Sequence, residues 1–148
     1  MTRPGRMLGA ALSLIGWLAA CSTTSAVPAG GGASMAKVTG TVTYRERIAL
    51  PPTAVIKVQL VDVSRADAPA IVLGEQFMHA AGKQVPFAFE IQFDPARIEA
   101  NYSYAVQARI EVDGKLRFIS DRHYAVITGG APTHVDIVLR SVGASSAR

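Results

Sequence analysis

Met78-His79 is the pair whose side-chain types come closest to a metal site, since a thioether beside an imidazole suits copper. Adjacent strand residues project to opposite faces, however, so the same pair also reads as an ordinary strand end. His123 and His134 lie far along the chain from His79, with no HxH or HxxxH spacing and no cysteine partner to complete a local site. Asp136 shares a strand face with His134, as a solvated pair would. Hydrolysis would need an activated serine, yet no GxSxG elbow occurs, and Ser64 and Ser120 sit in strand-end contexts. The carboxylates Glu111 with Asp113, and Glu90 with Asp94, share strand faces without a pocket signal. P-loop and dinucleotide fingerprints are missing. The pattern predicts a protein that is not an enzyme and that carries no metal or cofactor. A periplasmic small-ligand or metal-binding protein using Met78, His79 and the other histidines is the alternative.

The remaining chemistry-bearing residue is Cys21, the only cysteine, which excludes an intrachain disulfide. It follows an amino terminus with Arg3 and Arg6 and no acid, then an apolar run, then Leu18-Ala19-Ala20. This is the layout of a secretory signal peptide. The uncharged stretch Met7 to Ala20 would span about 21 Å as a helix, short of the roughly 30 Å hydrocarbon core. Leu18-Ala19-Ala20-Cys21 resembles the lipobox of bacterial lipoproteins. The resemblance implies diacylglycerol on the Cys21 thiol, cleavage after Ala20, and acylation of the new amine by a chain such as palmitate. Ser22 differs from the aspartate that resembles an inner-membrane retention signal, so the expected address is the outer membrane, facing the periplasm, with the inner membrane second.

Four segments follow: a signal peptide over 1–20, the lipidated cysteine with a flexible tether over 21–36, a folded domain over 37–142, and a polar tail over 143–148. The tether is uncharged and rich in Gly, Ser, Thr and Ala, and as a coil it would reach roughly 20 Å. Fifteen basic against eleven acidic residues give a formal charge of +4, but Arg3 and Arg6 belong to the cleaved segment, so the charge does not imply nucleic acid.

Within the domain the hydrophobic period is two. Phe87, Phe89, Ile91 and Phe93 alternate with small or polar residues, and so do Ile56, Val58 and Leu60, and Tyr104, Val106, Ala108 and Ile110. Runs at 38–44, 71–73, 116–119 and 135–139 complete seven expected strands. Asp113-Gly114 predicts a type I′ hairpin turn, and Asp94 to Ile98 one helical turn. The expected fold is all-β, a seven-stranded antiparallel sandwich of immunoglobulin-like or transthyretin-like form, with a small β-barrel as alternative.

Arg47-Ile48-Ala49-Leu50-Pro51-Pro52, the strand after it, Ala66-Asp67-Ala68-Pro69 and Gly82-Lys83-Gln84-Val85-Pro86-Phe87 occur in that order behind the lipobox. Together they resemble the YbaY family of lipoproteins, related to the YscW-type pilotins of type III secretion, over about Val38 to Leu139. The resemblance implies a non-catalytic β domain on a lipid anchor at Cys21. Its implied partner is an envelope protein, a secretin-like one in the pilotin version. The proline and glycine motifs also read as scaffold, and Arg45, Arg47 and Lys83 are the first residues to consider for an anionic contact.

Overall fold

The computed structural model describes residues 34–143. The expected signal peptide, Cys21, most of the tether and the last five residues of the tail lie outside them. The strands are β1 (Ala36–Tyr44), β2 (Val55–Asp62), β3 (Ile71–His79), β4 (Phe87–Phe93), β5 (Tyr104–Val112), β6 (Lys115–Ser120), β7 (Tyr124–Val126) and β8 (His134–Ser141). The remaining regular element is a 3₁₀ turn at Pro95–Arg97, where the expected helical turn falls, capped by the Asp94 carboxylate accepting from Ala96 N.

The strands form one sheet in the order β3-β2-β5-β6-β8-β1-β4, with β7 pairing with the start of β5. The all-β expectation holds, and of the two architectures the barrel is the closer. A sandwich needs two separate sheets, whereas here one sheet curls until its end strands approach. The Gln76 side chain on β3 accepts a hydrogen bond from Glu90 N on β4 at 2.8 Å. A Cβ added at Gly74 would come within 2.6 Å of the Gln92 carbonyl oxygen, so a glycine permits that closeness. Register shifts at Leu60/Val61 and Ile110/Glu111 bend the strands where the sheet must curl.

Two further details differ from expectation. There are eight strands among the described residues, because β7 is only three residues long and offers no readable period. The sheet is mixed, since β1 and β8 run parallel. A parallel pair needs a long connection between its members, and here the rest of the domain supplies it. At that pair the backbones come so close that a Cβ on Gly40 would lie 1.8 Å from the Val135 carbonyl oxygen.

The alternating residues do what their period demands. β4 reads buried and exposed in strict alternation, and Val38, Val42, Ile56, Val58, Leu60, Ile91, Val106, Ile110, Ile137 and Leu139 are almost completely buried in one core. Burying each such side chain contributes about 1.5–3 kcal/mol before entropy is charged against it. Asp113 and Gly114 both adopt positive φ, as the expected hairpin turn requires. Leu50 is buried beyond the end of β1, held by two hydrogen bonds between its backbone and the Gln84 side chain. The Leu-Pro-Pro and Gly-Lys-Gln segments are thus clipped together as scaffold.

Candidate functional site

The outward surface of β3, β2, β5, β6 and β8 is where this fold departs from an ordinary polar exterior. Register sets Phe77 opposite Lys57, Lys57 opposite Arg109, Arg109 opposite Ile119, and Ile119 opposite Arg140. One transverse row therefore sets two apolar side chains among three cationic ones across five strands. Phe77 is 54% exposed, Ile119 45% and, in the neighbouring row opposite Glu111, Leu116 40%. Exposed apolar groups in such density, interleaved with long cations, suit contact with another macromolecule.

The charged residues between them are held in place. Lys57 Nζ sits 4.8 Å from the Phe77 ring centroid and 3.1 Å from Glu75 Oε2, so one ammonium braces both. Its hydrogen bond to Glu75 holds that carboxyl below the usual carboxylate range, and Gln59 Nε2 donates to the same oxygen at 3.0 Å. Arg109 Nε lies 3.0 Å from Glu111 Oε1, close enough for an ion pair but not aligned for a hydrogen bond. A cavity of about 70 Å³ opens among Lys57, Gln59, Gln107, Arg109, Ile119 and Ser120. It is too small for a cofactor, since ligand pockets run to roughly 300–1,000 Å³. The arrangement can bind a surface; it holds no nucleophile next to a base.

The residues singled out from sequence are placed as follows. Met78 packs against the core while His79 is exposed on the opposite face of β3, so the two do not form a ligand pair. His134 Nδ1 meets Thr39 Oγ1 at 3.1 Å, and its Nε2 is 3.8 Å from Asp136 on the solvated outer face of β8. His123 is within 3.5 Å of Gln107. Among the described residues no three His, Cys, Asp or Glu side chains converge on a metal position. The Ser64 hydroxyl donates to Asp62 and accepts from Ser103 N, which ties a loop rather than activating a nucleophile. Glu90 pairs with Lys37 at 3.1 Å, Asp94 caps the 3₁₀ turn, and Asp113 forms the hairpin turn. Arg45, Arg47 and Lys83 are exposed, and of these Arg45 borders a concavity with Arg122 and Arg140.

Phe77, Ile119 and Leu116 were not evident from sequence. Phe118-Ile119 did carry a signal, because two large apolar neighbours in a strand cannot both face the core. Leu116 could not be read that way, because the register shift in β6 turns it outward.

Residues 33–139 match the family model described as type III secretion system lipoprotein chaperone (YscW). The chain is 44% identical over 102 residues to the uncharacterized lipoprotein YbaY of Escherichia coli K12, an alignment covering 69% of this chain and 53% of that relative. This chain thus spans about half the length of that relative. Among solved structures it is similar to an alternative pilotin from the type II secretion system of Vibrio cholerae, with 53% identity and a TM-score of 0.71, covering 73% of this chain and 97% of that one.

Proposed function

The chain belongs to the YscW family of type III secretion system lipoprotein chaperones, and from that premise we propose that it is a non-catalytic escort anchored in the bacterial envelope through lipid on Cys21. Its client is a secretin-type subunit, its address the periplasmic face of the outer membrane, and the residues between Cys21 and the start of β1 at Ala36 tether the β domain to the bilayer. Three acyl chains at about 0.8 kcal/mol per buried methylene would make the anchor effectively permanent.

The observation that supports docking over catalysis is the row Phe77-Lys57-Arg109-Ile119 on a rigid sheet. An escort must hold a client without converting it, and an exposed aromatic braced by a lysine offers a preformed anchor at low entropic cost. The likeness to a solved pilotin at 53% identity supports the same reading. The test is capture of secretin subunits from detergent-solubilised membranes by the full-length protein. Phe77→Asp and Ile119→Asp, both on the exterior, should each lower capture at least about tenfold while the melting temperature stays within a few degrees. Equal capture by both variants would remove this face from the function.

A further inference from the structure

Beside the Ile119 end of the docking row lies a second feature that no catalytic or metal reading uses. Arg45, Arg122 and Arg140 border a concavity of about 270 Å³, together with Glu46, Asp121 and the β8 segment at Val138 and Leu139. The two acidic groups are already engaged by neutral donors. Glu46 accepts from Ser141 N at 2.9 Å and from Arg45 N at 3.1 Å, and Asp121 accepts from the Tyr124 hydroxyl at 2.7 Å. Among the described residues none of the three guanidiniums stands within ion-pair distance of a carboxylate. Arg122 lies over the Tyr124 ring, 5.0 Å from its centroid, which holds the guanidinium at the rim of the concavity.

We propose that this arginine-lined concavity recognises carboxylates of an acidic, partly apolar polypeptide segment on the docked client. Charge complementarity fixes the sign, since three forked cations outnumber the two carboxylates of the concavity and none is ion-paired with them, which suits an anion supplied from outside. Continuity favours a polypeptide over a lipid headgroup. Arg140 is paired across the strands with exposed Ile119, and Val142, 48% exposed, follows two residues later, just past the end of β8. Arginine beside apolar side chains is the composition of protein interfaces. Position agrees: Arg45 follows the far end of β1 from Ala36, so the cluster lies about 25–30 Å along that strand from the first strand residue. The inference rests on the escort reading and adds the chemistry of the segment that is carried.

The test uses full-length protein in detergent and a synthetic peptide, (Glu-Glu-Leu-Leu)₃, against its Gln-for-Glu counterpart, with phosphatidylglycerol vesicles as the lipid arm. The acidic peptide should bind more tightly than the Gln peptide and lose affinity with added salt. It should weaken about four- to twenty-five-fold in the Arg45→Gln/Arg140→Gln double variant, at about two- to fivefold per exposed ion pair. Arg122 is left intact because it packs on Tyr124, and an Arg140→Lys variant that retains most binding guards against loss through misfolding. Equal affinity for the two peptides, or an unchanged double variant, overturns the proposal. Arginine-dependent recruitment to vesicles without peptide preference also overturns it, assigning the cluster to anionic lipid. A double variant that captures secretin normally but loses the peptide defeats this inference alone, whereas failure of the wild type to capture any secretin while binding the acidic peptide defeats the escort reading alone.

Discussion

Replacing Tyr124 by phenylalanine removes a single oxygen from the shortest strand and measures how that strand is held. The Tyr124 hydroxyl accepts from Val138 N at 2.8 Å and donates to Asp121 Oδ1 at 2.7 Å, so it stitches β7 to β8, a strand with which β7 shares no ladder. Without it the Val138 N–H loses its acceptor in a half-buried position, a loss of about 1–3 kcal/mol. Asp121 is exposed and regains water, so its share is small. The expected net destabilisation is about 2 kcal/mol, or roughly a 10 °C fall in Tm for a domain of this size. Urea titration followed by far-ultraviolet circular dichroism should give a midpoint lower by about 1 M with an unchanged slope. A change below about 0.5 kcal/mol would mean that the hydroxyl does not tie β7 to β8.

Burial raises the Tyr124 hydroxyl above the ordinary tyrosine range, with the Asp121 hydrogen bond adding to it, and burial followed by the Glu46 charge does the same for Tyr44. The folded state thus favours the neutral phenols: their contribution is complete below the unfolded pKa near 10 and is lost as pH rises through the folded values, so a pH series of urea midpoints should fall above about pH 10, less steeply in Tyr124→Phe. Gly40→Ala should cost about 3 kcal/mol or more, because its Cβ would meet the Val135 carbonyl, whereas Gly114→Ala, with open space around it, should cost only about 1 kcal/mol for its positive φ; thermal melts compare the two. Cys21→Ser should abolish both lipid labelling and cleavage after Ala20, read by metabolic labelling with a fatty-acid analogue and by mass, and continued acylation would refute the lipobox assignment.

The core was readable wherever one period ran long enough to count. Phe87 to Phe93 alternates without interruption and is buried and exposed residue by residue as that pattern requires. Asp113-Gly114 announced its turn through backbone chemistry alone. What escaped was decided between distant segments. β3 runs on to His79 although Gly74, Glu75 and Gln76 break its apolar pattern, because pairing with β2 and closure against β4 make up for weak local preference. The parallel β1 and β8 pair joins the two ends of the domain, and no local spacing encodes it. The row on the outer surface was hidden for the same reason: Phe77, Lys57, Arg109, Ile119 and Arg140 come from five strands and become neighbours only through register.

Photocrosslinking in living cells shows whether that row of neighbours meets the client. With p-benzoylphenylalanine at position 77 or 119 of the full-length chain, irradiation should yield a covalent product containing a secretin subunit. The same group at position 41, on the polar outer surface of β1, should yield little. Secretin crosslinks of equal strength from position 41, or none from positions 77 and 119 in cells that assemble the secretin, would contradict the assignment of this face to the client.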